Sequence, residues 1–219
     1  MIDKCDITLN TPLTLLPYTL LVIIKHSKRI NMKNNANSRR NFLSKMLVTG
    51  ISGATLLSTA SYAKGKKDTV PQMTEEQKDM LFFIYQEEKV ARDVYMTLGN
   101  IYTDEITFAS IQVSEQRHMD AAKELCQKYG VDTSEVDEDA VGSFVLPVLQ
   151  ELYDTCVAEG EESLLDALKV GELIEITDID DLEHAAEGMP ADVVNVFESL
   201  KEGSLSHLDA FTAAIAREQ

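Results

Sequence analysis

No two cysteines of this chain are spaced to grip a metal between them. Cys5, Cys126 and Cys156 are the only three, and none forms a C-x-x-C pair. A thiolate zinc site or a rubredoxin-like iron site is therefore excluded. Cys126 and Cys156 read as small core residues, with a disulfide in an oxidising compartment as the alternative. Alternating runs of β-branched residues are missing too, which leaves no convincing strand. An apolar run at residues 12–24 is too short to span a bilayer and contains Pro17. Basic residues are scarce in the larger part of the chain. Of 20 Lys/Arg and 37 Asp/Glu, eight and two fall in residues 1–63, which leaves 12 and 35 downstream and a formal charge of −23 there. Such a field repels nucleic acid and anionic membrane surfaces, and attracts cations and basic partners. The acidic stretches at 135–139 and 159–162 lack the glycine and terminal glutamate spacing of an EF-hand, so they read as solvated loops.

The N-terminal part reads as an address. Ser38-Arg39-Arg40-Asn41-Phe42-Leu43-Ser44-Lys45 resembles the twin-arginine export motif, and the modestly apolar residues 46–60 follow it. Ser61-Tyr62-Ala63 offers small residues at the −3 and −1 positions of a signal-peptidase site, which predicts cleavage after Ala63 and export to the periplasm or beyond by the twin-arginine machinery. Met32 lies six residues before the motif, where such a signal would begin, so residues 1–31 read as an over-extended start. Residues 64–73 are a linker and residues 74–219 a single all-α domain, long enough to bury one good core.

Within that domain the punctuation predicts five helices. Thr74 and Gln77 form a capping box that opens the first, which is expected to run to Leu98 and stop at Gly99-Asn100. A second runs from near Thr107 to Gly130. A shorter one spans Phe144 to Ala158, a fourth Ser163 to about Ala186, and the last opens with Pro190 at a first-turn position. Short links make neighbours antiparallel, whereas the connection from Gly130 to Glu162 is long enough to cross a bundle. Four long helices with an extra helix in that connection and a parallel second and third long helix would be the ferritin-like arrangement; without a crossing it would be the up-and-down one.

Each long helix carries an inward stripe at steps of three and four. The stripes read Leu81, Ile84, Glu88, Ala91, Tyr95, Leu98; Ile111, Glu115, His118, Ala122, Leu125; Leu164, Leu168, Gly171, Glu175, Asp178, Leu182; and Val193, Phe197, Leu200, Ser204, His207, Phe211. All are apolar except near the middle. Carboxylates are almost never buried unless paired, because an isolated buried charge costs several kcal/mol. Two divalent ions would balance Glu88, Glu115, Glu175 and Asp178, with His118 and His207 as neutral nitrogen ligands. Buried ion pairs with Lys89, Arg92 or Arg117 are the alternative way to satisfy these acids. His184, among acids near a helix end, reads as a favourable charge there.

Glu88 to Tyr95, Ser114 to Asp120 with Glu115 and His118, Gly171 to Leu182 with Glu175 and Asp178, and Gly203 to Phe211 with His207 resemble, in that order, the motifs of the DUF2202 family, placed with the ferritin-like proteins. The resemblance covers about residues 74–211. It implies that Glu88 ligates one ion with Tyr95 close by, that Glu115 bridges, that His118 ligates, and that Glu175 is a bridging or terminal ligand with His207 as the second nitrogen donor. The implied cofactor is a pair of divalent ions, iron or else manganese. Rubrerythrins carry E-x-x-H twice; the second would need a glutamate where Ser204 stands, with Asp178 as the replacement or a single-metal site as the outcome. The C-x-x-C electron-transfer module of rubrerythrins is missing, so a reductant would be a separate partner. The functions in view are a di-iron oxidoreductase acting on peroxide, O2 or Fe(II), with Tyr95 as a relay or a plain core tyrosine; a non-catalytic periplasmic metal-binding or storage module, which as a storage shell would be a homo-oligomer; and a metal-free helical interaction domain.

Overall fold

The computed structural model describes residues 72–219. The twin-arginine motif, the cleavage site after Ala63 and most of the linker lie outside the described residues. The described part is all-α, with five helices and no strand. They are α1 (Glu75–Ile101), α2 (Ile106–Tyr129), α3 (Pro147–Gly160), α4 (Leu164–Ala185) and α5 (Ala191–Glu218). None is long and apolar enough to cross a membrane.

Local signals set most of these boundaries. Thr74 accepts from the Gln77 backbone at 3.2 Å and Gln77 returns the bond at 2.9 Å, the reciprocal box that opens α1. Gly130 closes α2 in the left-handed region, φ 69°. Three boundaries differ from expectation. Gly99 does not stop α1, which continues to Ile101; its missing side chain instead lets the Phe108 Cβ of α2 come within 3.1 Å of where a Cβ would stand. Helix α3 begins at Pro147 rather than Phe144, because a proline holds the residue before it extended and the N–H groups of 144–146 bond to Gln150 and Gln86 instead. Pro190 is the cap of α5 and lies just outside its first turn.

The four long helices pack in a ring in which α1 touches α2 and α4, and α5 touches α2 and α4. Their directions follow from end-to-end contacts. Gln77 at the start of α1 bonds to Gly188 beyond the end of α4, and Tyr102 after α1 bonds to Gly160 before α4. Tyr129 at the end of α2 bonds to Asp192 at the start of α5, and Arg217 reaches back to Glu105. Every adjacent pair is thus antiparallel, and α2 and α4 run parallel across the diagonal. The connection between them crosses the bundle and carries α3, which lies against α1 and α4.

That crossing changes the environment of α1. From Phe83 to Tyr95 every residue of α1 is buried, including Gln86, Glu87, Lys89, Arg92 and Asp93. Asp93 is the hub on the outer side. It accepts from Lys89 at 2.5 Å, from Arg92 Nη2 at 2.7 Å and from the Gly142 backbone at 2.9 Å. Lys89 also donates to the Ala140 carbonyl and Arg92 to the Glu138 carbonyl, so the group ties the crossover to α1. Gly142 sits at φ 76°, and a Cβ there would meet the Tyr153 ring at 2.6 Å. Cys126 and Cys156 are free, buried thiols.

Removing the anion at this hub would strand a fully buried ammonium and a buried guanidinium. Asp93→Ala is expected to cost about 3–5 kcal/mol of unfolding free energy, measured by denaturant titration of the far-ultraviolet dichroism.

Candidate metal centre

The middle of each inward stripe meets the others at one level of the bundle. Glu88 comes from α1, Glu115 and His118 from α2, Glu175 and Asp178 from α4, and Ser204 and His207 from α5. All seven are buried, Glu88, Glu115 and Glu175 to 1 % exposure. Of the stripe residues, only Leu164, at the start of α4, is incompletely covered.

Glu115 is central. Its Oε2 lies 3.0 Å from His118 Nδ1, and its Oε1 lies 2.7 Å from His207 Nδ1. Glu88 Oε2 is 3.3 Å from the His118 nitrogen, and Glu175 Oε2 is 3.5 Å from that of His207. The arrangement is two-fold in character: one terminal glutamate and one imidazole on each side, a shared carboxylate between, and the rings stacked at 5.3 Å. Ligand atoms of Glu115, His118 and His207 all fall within 4.8 Å of one another.

The short distances are not ordinary hydrogen bonds. Both oxygens of Glu88, Glu115 Oε1 and the Nδ1 atoms of His118 and His207 are buried with no partner in hydrogen-bond geometry. Native proteins leave few such atoms. Here five cluster at one point, and they are the donor atoms a divalent ion with mixed nitrogen and oxygen ligands takes. The donor set fits a metal. Lys89 and Arg92 do not supply an alternative, since both are held by Asp93, and Arg117 is exposed.

Two further contacts orient these side chains. Tyr95 donates to Glu175 Oε1 at 2.7 Å, and its ring packs on Phe211 and Phe108 below the site. Ser204, where a second E-x-x-H would carry glutamate, lies 2.6 Å from Asp178 Oδ2, which brings the α4 carboxyl towards α5. Glu87 of α1 lies against Asp178 and Asp181 of α4, and reading α1 as a one-sided helix missed it. Its adjacency to Glu88 in sequence was the available signal.

The protons of the metal-free site follow from burial and proximity. Burial lifts Glu88 to about 7 against the pull of His118, and lifts Glu175 to about 8, with the Glu115 charge adding to it. Burial, then repulsion from neighbouring acids, holds Asp178 and Glu87 well above the ordinary carboxylate range. Burial alone would lower both imidazoles, but their contacts with Glu115 and a second glutamate outweigh it, raising His118 to about 11 and His207 to about 9. Glu115 feels the same burial, yet the two imidazoles bring it down to about 2. Protons thus do part of the charge neutralisation that a metal would otherwise do. His184 stands apart, exposed near the end of α4 with its ring nitrogen 2.7 Å from the Asp180 carbonyl.

The comparisons with known proteins cover the same region. The uncharacterized protein MJ0754 of Methanocaldococcus jannaschii is 44 % identical over 140 residues, which is 64 % of this chain and 75 % of the relative. The crystal structure of hypothetical protein MJ0754 from Methanococcus jannaschii DSM 2661 superposes with a TM-score of 0.64 at 38 % identity, covering 73 % of this chain and 87 % of that one. Residues 77–219 match the uncharacterized protein domain DUF2202, from the first turn of α1 to the last residue and so across every helix of the centre, and the chain belongs to that family.

Proposed function

We propose that this protein is a ferritin-like metal carboxylate protein that holds two divalent ions, iron or else manganese, between its four long helices and is redox-active towards peroxide, O2 or Fe(II). The observation that carries this reading is the cluster of buried glutamate oxygens and imidazole nitrogens that face one another without hydrogen bonds. The parallel α2 and α4, joined by a crossing connection, support the ferritin-like part.

Glu88 and His118 would hold one ion, Glu175 and His207 the other, and Glu115 would span both. Asp178, steadied by Ser204, takes the place of the carboxylate that α5 lacks. Four carboxylates then balance two divalent charges, which removes the cost of burying them. Bound there, the ions would supply Lewis acidity and reversible electron transfer. The protein's own contribution is to exclude bulk water, fix the ligands, and present the Tyr95 hydroxyl beside Glu175 as a group able to give or receive a proton. The sequence has no C-x-x-C pair for a thiolate electron-transfer centre, so electrons would come from a separate donor.

The charge of −23 over residues 64–219 favours a second reading, capture or storage of cations without turnover. Export by the twin-arginine route, which would carry the chain across the membrane folded, belongs to the same proposal, and N-terminal sequencing of the native protein is expected to find Lys64 first.

Protein purified from its own host is expected to contain close to two iron or manganese ions per chain, and peroxide is expected to change its visible absorption. Metal-loaded protein inert to peroxide, O2 and Fe(II) would leave the storage reading; absence of metal, with melting unaltered by chelator, would remove both. Saturation at a hundred times the dissociation constant should stabilise the fold by about 2.7 kcal/mol per bound ion over the chelated form.

Metal must displace protons from the imidazoles and the raised carboxyls. Protonated groups do not ligate, so apparent affinity is expected to rise with pH, most steeply below about 7, where Glu88, Glu175, His207 and His118 all carry protons, and less steeply above about 9, where the first three have lost theirs. Calorimetric titration in buffers of different ionisation enthalpy would register the released protons; pH-independent affinity would contradict this.

A further inference from the structure

Gly203 lies in the middle of α5, half-buried, one residue before Ser204. Its backbone has none of the positive φ values that call for glycine. A glycine inside a helix costs about 1 kcal/mol relative to alanine, so its presence here needs another reason. A Cβ built on Gly203 would stand 2.4 Å from His118 Nε2 and 2.8 Å from its Cε1. Those separations are far inside van der Waals contact.

The imidazole has little room to retreat. At Nδ1 it meets Glu115 at 3.0 Å and Glu88 at 3.3 Å, and the ring of His207 stacks on one face. Translation away from α5 would push Nδ1 into the two carboxylates. Rotation would take the nitrogen off them. We propose that Gly203 is a positioning residue for the metal centre: the space left by its absent side chain is the seat of His118, and any larger residue there unseats the imidazole from Glu88 and Glu115.

The metal part of this inference rests on the function proposed above, whereas the seat itself does not. The two are separable in one set of variants: Gly203→Ala, His118→Ala and the double variant, each melted metal-free and titrated with Co(II) while its absorption is followed. In the metal-free chain, Gly203→Ala is expected to lower Tm by roughly 3–10 °C, the cost of overpacking. Once His118 is truncated, the same change is expected to raise Tm by roughly 2–4 °C, as helix propensity alone dictates. Such a reversal of sign is the signature of direct coupling in a double-mutant cycle. With Co(II), Gly203→Ala is expected to match His118→Ala, losing one of two ions or binding it at least tenfold more weakly. A Gly203→Ala chain that melts above the parent and takes up Co(II) like it would overturn the proposal. Should the parent take up no Co(II) while the sign reversal holds, the seat stands and the metal reading falls.

Discussion

Four carboxylates at the centre of a helical bundle, with no lysine or arginine of the described residues among them, are the constraint from which the rest of this structure follows. The chain does possess buried cations, yet Lys89 and Arg92 are committed to Asp93 on the outer side of α1. Inside, among the described residues, the basic groups near Glu88, Glu115, Glu175 and Asp178 are two imidazoles. Charge balance then has to come from protons or from an external cation.

The same polar residue types thus do opposite work on the two sides of α1. Outward, Asp93 closes a fully paired network with Lys89, Arg92, Gly142 and the carbonyls of the crossover, which is a means of fastening. Inward, Glu88 has two oxygens with no hydrogen-bond partner. Glu87 sits between, against Asp178 and Asp181 of α4, and extends the acidic surroundings of the centre. Satisfaction of hydrogen bonds separates a structural polar cluster from one prepared for a ligand.

Much of this was legible in the sequence because the long helices are amphipathic and the centre interrupts each stripe at one level. Every inward residue proposed as a ligand is buried at that level, since steps of three and four fix the face once the helix is fixed. The opposite face of α1 was not legible. Gln86, Glu87, Lys89, Arg92 and Asp93 carry the composition of a solvated face, yet the distant crossover at 138–146 covers most of them, with α4 against Glu87 and Gln116 of α2 against Arg92. Partners that far along the chain leave no periodic trace. Gly99 misled for a related reason: a glycine near a helix end reads as a stop, while its actual use is the approach of Phe108.

Helices α1 and α2 form one hairpin, α4 and α5 another, and a connection of more than thirty residues joins them. Each hairpin owns half of the polar cluster: Glu88, Glu115 and His118 on one, Glu175, Asp178 and His207 on the other. The bridge between Glu115 and His207 therefore spans two pieces that could each keep their helices apart from the other. On the proposed reading, an ion held there would clasp the two hairpins across a seam, so parting the hairpins would empty the centre without unwinding a helix.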